Sequence, residues 1–420
     1  MQFLFTALGS YGDVHPVTGL GSALAARGHQ VKIITNPYFE GVVTGAGVEL
    51  VPVGTREEYL ELSRHPDLWH PTRGPKFVMS QVAGQLTRPL YDVLMAHYVP
   101  GETVFCAHIL DLASRVAAEH LAAPIASIVY APSAFWSLHE SPRLNGLQLR
   151  PSVPRWLKRF QYWISDRVFV QMWMGPELNK LRAELGLPRV KRIYCDWLMN
   201  TELVVALFPD WFGAPQPDWP ASTRAVGFPL WDAQDDASLS VELTEFLAAG
   251  TPPIAFSPGS ANHEAHQFFA TAVDICQRLG RRGILLTKDA EQLPAKLPET
   301  VGHFGFVPLS KLLPHTSALV HHGGIGNCAQ GLAAGVPHIV RPMSYDQFDN
   351  ARRLEVLGVA KEISVRRFTG QRVAAELGPL LESPVVAARC QELAARCNGR
   401  ATLAAACDAL EDLGKIVDSG

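Results

Sequence analysis

Two adjacent histidines, His321 and His322, close an apolar run and lead through Gly323, Gly324 and Gly326 into a helical pattern that begins near Ile325. Glycines let a backbone approach a ligand closely, and the N–H groups freed at a helix start carry partial positive charge. Such a turn suits an anion, with a neighbouring histidine able to donate one more hydrogen bond. Its spacing fits neither G-x-G-x-x-G nor a Walker loop, so alone it reads equally as a tight strand–helix turn around a core histidine. A second glycine-rich turn, Gly9 to Pro16 (GSYGDVHP), follows the first strand signal and holds Asp13. A carboxylate there can take a proton from a hydroxyl, or cap a helix opening at Pro16. Local sequence leaves both open.

The elements that would position these groups come in two series. The first runs Phe3 to Leu8, a helix with Val17, Leu20 and Leu24 on one face and Gly28 as its stop, then strands at Val31 to Thr35 and Val48 to Val53. It continues with Thr103 to His108, a helix to about Leu121, and Pro124 to Tyr130. The second restarts with Pro253 to Ser257, a helix near His263 to Leu279, and strands at Gly283 to Thr287, Ser317 to His322 and Pro337 to Pro342. A helix then starts at about Asp346. Apolar strands alternating with helices predict parallel sheets covered on both faces. The order predicts an N-terminal Rossmann-like domain over 1–208, a proline-rich linker over 209–223 and a C-terminal Rossmann-like domain over 224–398. A helix over 399–420 closes the chain, with packing back on the first domain as one reading. Open parallel sheets bind ligands at their carboxyl edges, so a cleft between the two domains is the expected site.

Composition narrows the function classes. Of 420 residues 47% are hydrophobic and 18% charged, enough for packed cores. With 37 Lys+Arg against 40 Asp+Glu, no global positive excess exists to displace counterions from phosphates, which argues against a nucleic-acid partner. Seven scattered cysteines without a C-x-x-C pair predict neither a disulfide framework nor a zinc site, and suit a reducing, cytoplasmic setting. His263, Glu264 and His266 lack the H-E-x-x-H spacing and read as a surface helix start, so no metal site is expected. Residues 132–175 break the rhythm with interleaved Trp, Phe, Tyr and Arg, including Arg155 to Trp163 (RWLKRFQYW). That segment reads as packing, as an acceptor pocket, or as a face for peripheral contact with a membrane.

The stretch Phe304 to Ala351 resembles the nucleotide-sugar signature of the UDP-glycosyltransferase family, whose architecture is GT-B. The matching features are Phe306-Val307-Pro308, Leu312-Leu313-Pro314, His-His-Gly-Gly, Ala333 to Pro337 (AAGVP), Asp346-Gln347 and Asn350-Ala351. The resemblance implies an α/β fold of two doubly wound Rossmann-like domains facing a cleft, the first (1–208) acceptor-binding and the second (224–398) nucleotide-sugar-binding. It also implies donor roles. Phe306 stacks on the base, the Val307 backbone reads its edge, and His322 bonds the diphosphate with Gly324, Gly326 and Asn327 at the helix start. Gln330 falls at the ribose, Asp346 and Gln347 at the sugar, and Ser260 near phosphate or base. Asn327 replaces the usual Ser/Thr, and Leu309 the usual Gln after Pro308. Gly9 to Pro16 looks like the family's N-terminal loop, in which an Asp can take the place of a catalytic His; by that match Asp13 is the base. His108 and His15 are its rivals or helpers. Trp136 and His139 fall in the presumed acceptor region.

The expectation is thus an inverting glycosyltransferase that moves a sugar from a UDP- or dTDP-sugar to a hydroxyl of an apolar small-molecule or lipid acceptor. The nucleoside diphosphate sugar is a co-substrate, and no other cofactor is expected. No Asp-x-Asp occurs in the chain, so a helix start and His322 would offset the diphosphate charge without a metal. The alternatives are a nucleotide-sugar epimerase on the same fold and a catalytically silent glycosyltransferase-like partner protein.

Overall fold

The computed structural model describes every residue except 145–151, 233–237, 260, 261, 263, 264 and 418–420. It divides into two compact units, Met1–Pro229 with Gly399–Gly420, and Leu230–Asn398.

The first unit is built on a seven-stranded parallel sheet. Its strands are β1 (Gln2–Thr6), β2 (Gln30–Thr35), β3 (Glu49–Pro52), β4 (Thr103–His108), β5 (Ile125–Val129), β6 (Leu203–Ala206) and β7 (Thr223–Ala225). They lie in the order β3-β2-β1-β4-β5-β6-β7. Every residue of β1, β4 and β5 is buried, as continuous apolar runs in a sheet covered on both faces require. From β1 the chain winds outward to β2 on one side and to β4 on the other, with Leu4 opposite both Lys32 and Phe105. The crevice where a parallel sheet changes winding direction is where ligands bind in such folds. Helix α1 (Tyr11–Ala26) and the turn after β4 both open on that point.

The second unit holds a six-stranded parallel sheet of β8 (Ile254–Ser257), β9 (Gly283–Leu286), β10 (Val301–Phe304), β11 (Ala318–His321), β12 (His338–Val340) and β13 (Ala360–Glu362). Its order is β10-β9-β8-β11-β12-β13. Here the winding reverses between β8 and β11, where His321 pairs with Ser257. The glycine turn that follows His322 therefore stands at this sheet's own switch point.

Two expectations are corrected. The stretch 209–223 is no linker: it belongs to the first unit and ends in β7, and the boundary falls between Pro229 and Leu230. Its four prolines suggest an open connection, but its aromatics are packed: Trp219 stacks on Phe135 at 4.1 Å and Phe212 meets Phe228 at 5.2 Å. The first helix starts at Tyr11, not at Pro16, because Ser10 caps it; Pro16 lies in its interior. The final helix, Gly399–Val417, packs on α1 within the first unit. Its Ala406, Cys407, Leu410 and Leu413 are buried. Arg27 reaches Asp408 at 2.6 Å and Glu411 at 3.0 Å, while His29 meets Glu411 at 2.9 Å. Such exposed pairs contribute about 0–1 kcal/mol, so the apolar seam supplies most of the attachment.

Candidate active site

In the first unit, Asp13 is held by two partners. One carboxylate oxygen, Oδ2, accepts the Ser10 N–H at 2.7 Å, which makes Asp13 the third-position partner in a capping box at the start of α1. The other, Oδ1, faces His108 Nε2 at 3.3 Å. The tautomer follows from the other ring nitrogen. His108 Nδ1 accepts the Leu110 N–H at 3.1 Å, so it carries no proton and the neutral ring's Nε2–H donates to Asp13. His108 is thus a donor to the carboxylate, not a competing proton acceptor. The two readings of Asp13 are compatible: one oxygen caps the helix, and the side chain as a whole remains 29% exposed.

A buried polar cluster fixes the end of β4 beneath it. Thr6 Oγ1 accepts the His108 N–H at 3.0 Å and donates to Asp111 at 2.7 Å. Arg115 donates to the carbonyls of His108 (3.0 Å) and Leu198 (2.8 Å) and to Ser127 Oγ (2.8 Å). Burial lowers this arginine to about 10, with Asp111 acting in the opposite direction. Around the same strand ends Tyr11, Tyr38 and Tyr59 form a half-buried aromatic group, with Tyr38 stacked on Tyr59 at 4.7 Å and Tyr11 edge-on to His15 at 5.3 Å. His15 is therefore a ring in an aromatic wall. Tyr130 donates to the Asp13 carbonyl at 3.1 Å.

In the second unit, His322 is seated between glycines. A Cβ on Gly259 would fall 2.9 Å from its Cε1, and one on Gly324 would fall 2.5 Å from its Nε2. Gly259 and Gly323 also have φ of +104° and +97°, which side-chain-bearing residues rarely adopt. Burial pushes the His322 imidazole down to about 4; a hydrogen bond with the Ser257 backbone opposes this, and the charge of Arg341 reinforces it. At neutral pH the ring is an uncharged donor.

Gly324 is the N-cap of the helix Ile325–Ala334, and no side chain caps that end. Four N–H groups at such an end have no partner within the helix. Gly326 is exposed, with open space where a Cβ would sit, and Asn327 donates to Ser257 Oγ at 3.0 Å. Behind the turn, Gly323 N–H donates to His321 Nδ1 (3.1 Å), and His321 Nε2–H therefore donates to His338 Nδ1 (3.1 Å). Both rings are fully buried, and burial holds His321 well below the usual histidine range and His338 at about 3.

Asn350 ties the turn to the next helix, donating to the Gly323 carbonyl at 2.9 Å and to Asp346 Oδ2 at 2.7 Å. Gln347 uses its side-chain oxygen to accept the N–H groups of Met343 (2.8 Å) and Ser344 (3.2 Å), leaving its NH2 as the group able to donate. Gln330 is nearly buried and donates to the Leu230 carbonyl at 3.1 Å. Phe306 is 50% exposed with Lys288 Nζ 5.2 Å from its ring centre, and Val307 packs on the apolar cluster beneath.

Two family profiles match most of this framework. The glycosyltransferase family 28 N-terminal domain matches residues 3–135, and the erythromycin biosynthesis protein CIII-like C-terminal domain matches residues 279–413. The chain belongs to the UDP-glycosyltransferase family. It is 28% identical to the O-mycaminosyltylonolide 6-deoxyallosyltransferase of Streptomyces fradiae, over 94% of this chain and 93% of that one. Among solved structures it is similar to the glycotransferase of kitacinnamycin, with a TM-score of 0.73 and 22% identity over 98% of both chains. It is also similar to the glycosyltransferase VinC in complex with dTDP, with a TM-score of 0.66 and 22% identity over 100% of both. The fold is GT-B, two Rossmann-like α/β halves.

The expected site residues are thus partly gathered. His322, Gly324, Gly326 and Asn327 share one turn, and Asp346 joins them through Asn350. Ser260 lies outside the described residues. Trp136 is half-buried, its ring stacked on Tyr194 at 4.2 Å and on Tyr162 at 5.3 Å. His139 is exposed and meets Arg155 Nη2 at 3.2 Å. Three contributors escape sequence reasoning. Asn350 stood in the signature without a role. His338 sits seventeen residues from its partner His321. Arg341, whose guanidinium lies over Phe268 and Phe368 at 5.9 and 5.4 Å, looks like an ordinary strand-end cation. Among the described residues, no group of three His, Cys, Asp or Glu could hold a metal ion, and no helix is long and apolar enough to cross a membrane.

Proposed function

We propose that the chain transfers a sugar, with inversion at the anomeric carbon, from a UDP- or dTDP-sugar to a hydroxyl of an apolar small-molecule or lipid acceptor. The observation that carries this reading is the Asp13 carboxylate, oriented by the Ser10 N–H and His108 and still open to solvent on part of its surface. As the acceptor oxygen bonds to the anomeric carbon, its proton passes to Asp13 and the carbon–oxygen bond to the diphosphate breaks on the opposite side. A carboxylate held in place can accept that proton without reorganising. Positive charge at the anomeric carbon makes orientation the main demand.

The second unit seats the donor in this reading. Phe306 stacks on the base, the Val307 backbone reads its edge, Gln330 serves the ribose, and Asp346 and Gln347 serve the sugar. The free N–H groups at Gly324 to Asn327 and the uncharged His322 donate to the diphosphate, and Arg341 adds a full charge nearby; together they take the place of a divalent ion. Tyr11, Tyr38 and Tyr59 line the acceptor side. The name of the Streptomyces fradiae relative and the dTDP bound by VinC support a deoxysugar donor and a natural-product acceptor.

The test is nucleotide release from UDP- and dTDP-sugars across a panel of phenolic, macrolide and lipid hydroxyl acceptors, with product anomers read by NMR. A glycoside of inverted configuration, formed equally in EDTA, is expected. Retained configuration or strict metal dependence would overturn the mechanism. Nucleotide binding without glycoside would favour the silent partner, and sugar isomerisation without acceptor the epimerase.

A further inference from the structure

We propose that the helix Arg155–Ile164 and its continuation to Met172 form a docking face for an anionic lipid surface. This stands independently of the glycosyl-transfer reading. The inner side of the helix is fastened to the protein: Lys158 Nζ donates to the Leu138 carbonyl at 3.3 Å, and Tyr162 donates to the Ser137 carbonyl at 3.1 Å. Among the described residues nothing covers the outer side. Trp156 is 71% exposed, Phe160 51% and Met172 57%, and Trp163, Val168 and Phe169 are exposed with them. Elsewhere among the described residues the exposed large apolar side chains are valines, apart from Phe306. The concentration is therefore local, and an apolar patch of this kind on a water-soluble surface marks an interaction site.

Charge selects the partner. Arg155, Arg159 and Arg167 are exposed on the same stretch. Its one acid, Asp166, is fully buried and spends its two oxygens on the N–H groups of Tyr194 (3.0 Å) and Cys195 (2.9 Å). The outer surface is thus cationic and apolar with no anion, on a chain whose net charge is −3. At about 100° per residue, Arg155 and Arg159 fall at one edge of an arc of about 140° that continues through Trp163 and Trp156 to Phe160. Residues 156–172 span about 24 Å at a rise of about 1.5 Å each. Guanidinium groups along one edge and indole and phenyl rings beside them match phosphate headgroups above acyl chains. A protein partner would ask for acids to complement the arginines and a charge-poor centre.

Sedimentation of the full chain with vesicles tests this. Binding to phosphatidylcholine vesicles containing phosphatidylglycerol is expected, with a blue shift of tryptophan emission, and much weaker binding to phosphatidylcholine alone. Trp156→Ala with Phe160→Ala should weaken binding about tenfold or more. Arg155→Gln and Arg159→Gln should each weaken it about fivefold and flatten its salt dependence. These side chains are exposed, so melting curves should be unchanged; Met172→Gln gives a milder apolar probe if the double variant melts early. No binding to anionic vesicles, or parental binding by the aromatic variant, overturns the proposal. So does a dimer that Trp156→Ala dissociates in a chain that ignores vesicles, since the face would then belong to a second copy.

Discussion

Asp13→Asn separates the two tasks of one carboxylate. The asparagine oxygen can still accept either the Ser10 N–H or the His108 Nε2–H, but not both, because its other terminus is an NH2. His108 cannot adapt by shifting its proton, since Nδ1 is committed to the Leu110 N–H. The variant therefore loses one hydrogen bond, about 1 kcal/mol, which lowers the melting temperature of a unit of this size by about 2 °C. The chemical step loses its proton acceptor, an effect of about 10²- to 10⁴-fold on kcat. In the proposed reading donor affinity resides in the second unit, so it should stay within about threefold, a change below ~0.7 kcal/mol. The assay pairs nucleotide release under saturating donor and acceptor with a calorimetric donor titration and a thermal melt. Turnover within tenfold of the parent would refute the assignment of Asp13 as base. A collapse of donor binding or a large drop in melting temperature would refute the claim that the two tasks are separable.

Other perturbations test the surrounding geometry. Gly9→Ala should slow turnover while leaving donor binding intact, because its Cβ would lie 2.1 Å from Asp13 Oδ2 at a φ of +147°; normal kcat would show that the carboxylate tolerates displacement. Gly324→Ala should weaken nucleotide affinity by about tenfold or more, since its Cβ would meet His322 Nε2 at 2.5 Å; calorimetry with UDP or dTDP reads this directly. Stability should fall with acid. His338 is buried and neutral down to about pH 3, whereas the unfolded chain protonates it near 6.5, so stability is complete above about pH 6.5 and is lost as pH falls toward 3, by about 2 kcal/mol at pH 5. His338→Gln should flatten that slope in urea titrations at pH 7 and 5; an unchanged slope would assign the acid sensitivity elsewhere.

The alternation of strands and helices was legible where the central strands are continuous apolar runs, as in Phe3 to Phe5 and Ala318 to Val320. The glycine turn was legible as a turn, since three glycines in four positions permit positive φ and close backbone approach, while its reading as an anion seat came from the surrounding signature. The meeting of Asp13 with His108 was not, because they are 95 residues apart and only the adjacency of β1 and β4 joins them. Nor was the capping by Ser10 read, since Pro16 offered a competing helix start. Residues 209–223 misled for a related reason. Proline content signals a connection, while the partners of Trp219 and Phe212 lie on Phe135 and Phe228, the first of them far away in the chain. Packing between distant segments decides such cases, and no local pattern records it.

The return of the last helix to the first unit makes 230–398 an insert, with both of its ends at a single boundary. Gly227 lies so near Thr402 that a Cβ would approach its hydroxyl to 2.4 Å, and Gly414 likewise leaves room for the Met1 sulfur at 2.3 Å. A chimera that exchanges donor preference with a relative should therefore be cut twice, after Pro229 and before Gly399, keeping the native tail with the native amino-terminal half. A single crossover would graft a foreign helix onto α1 and the Met1 edge of the sheet, and its failures would report mismatched packing instead of altered sugar recognition.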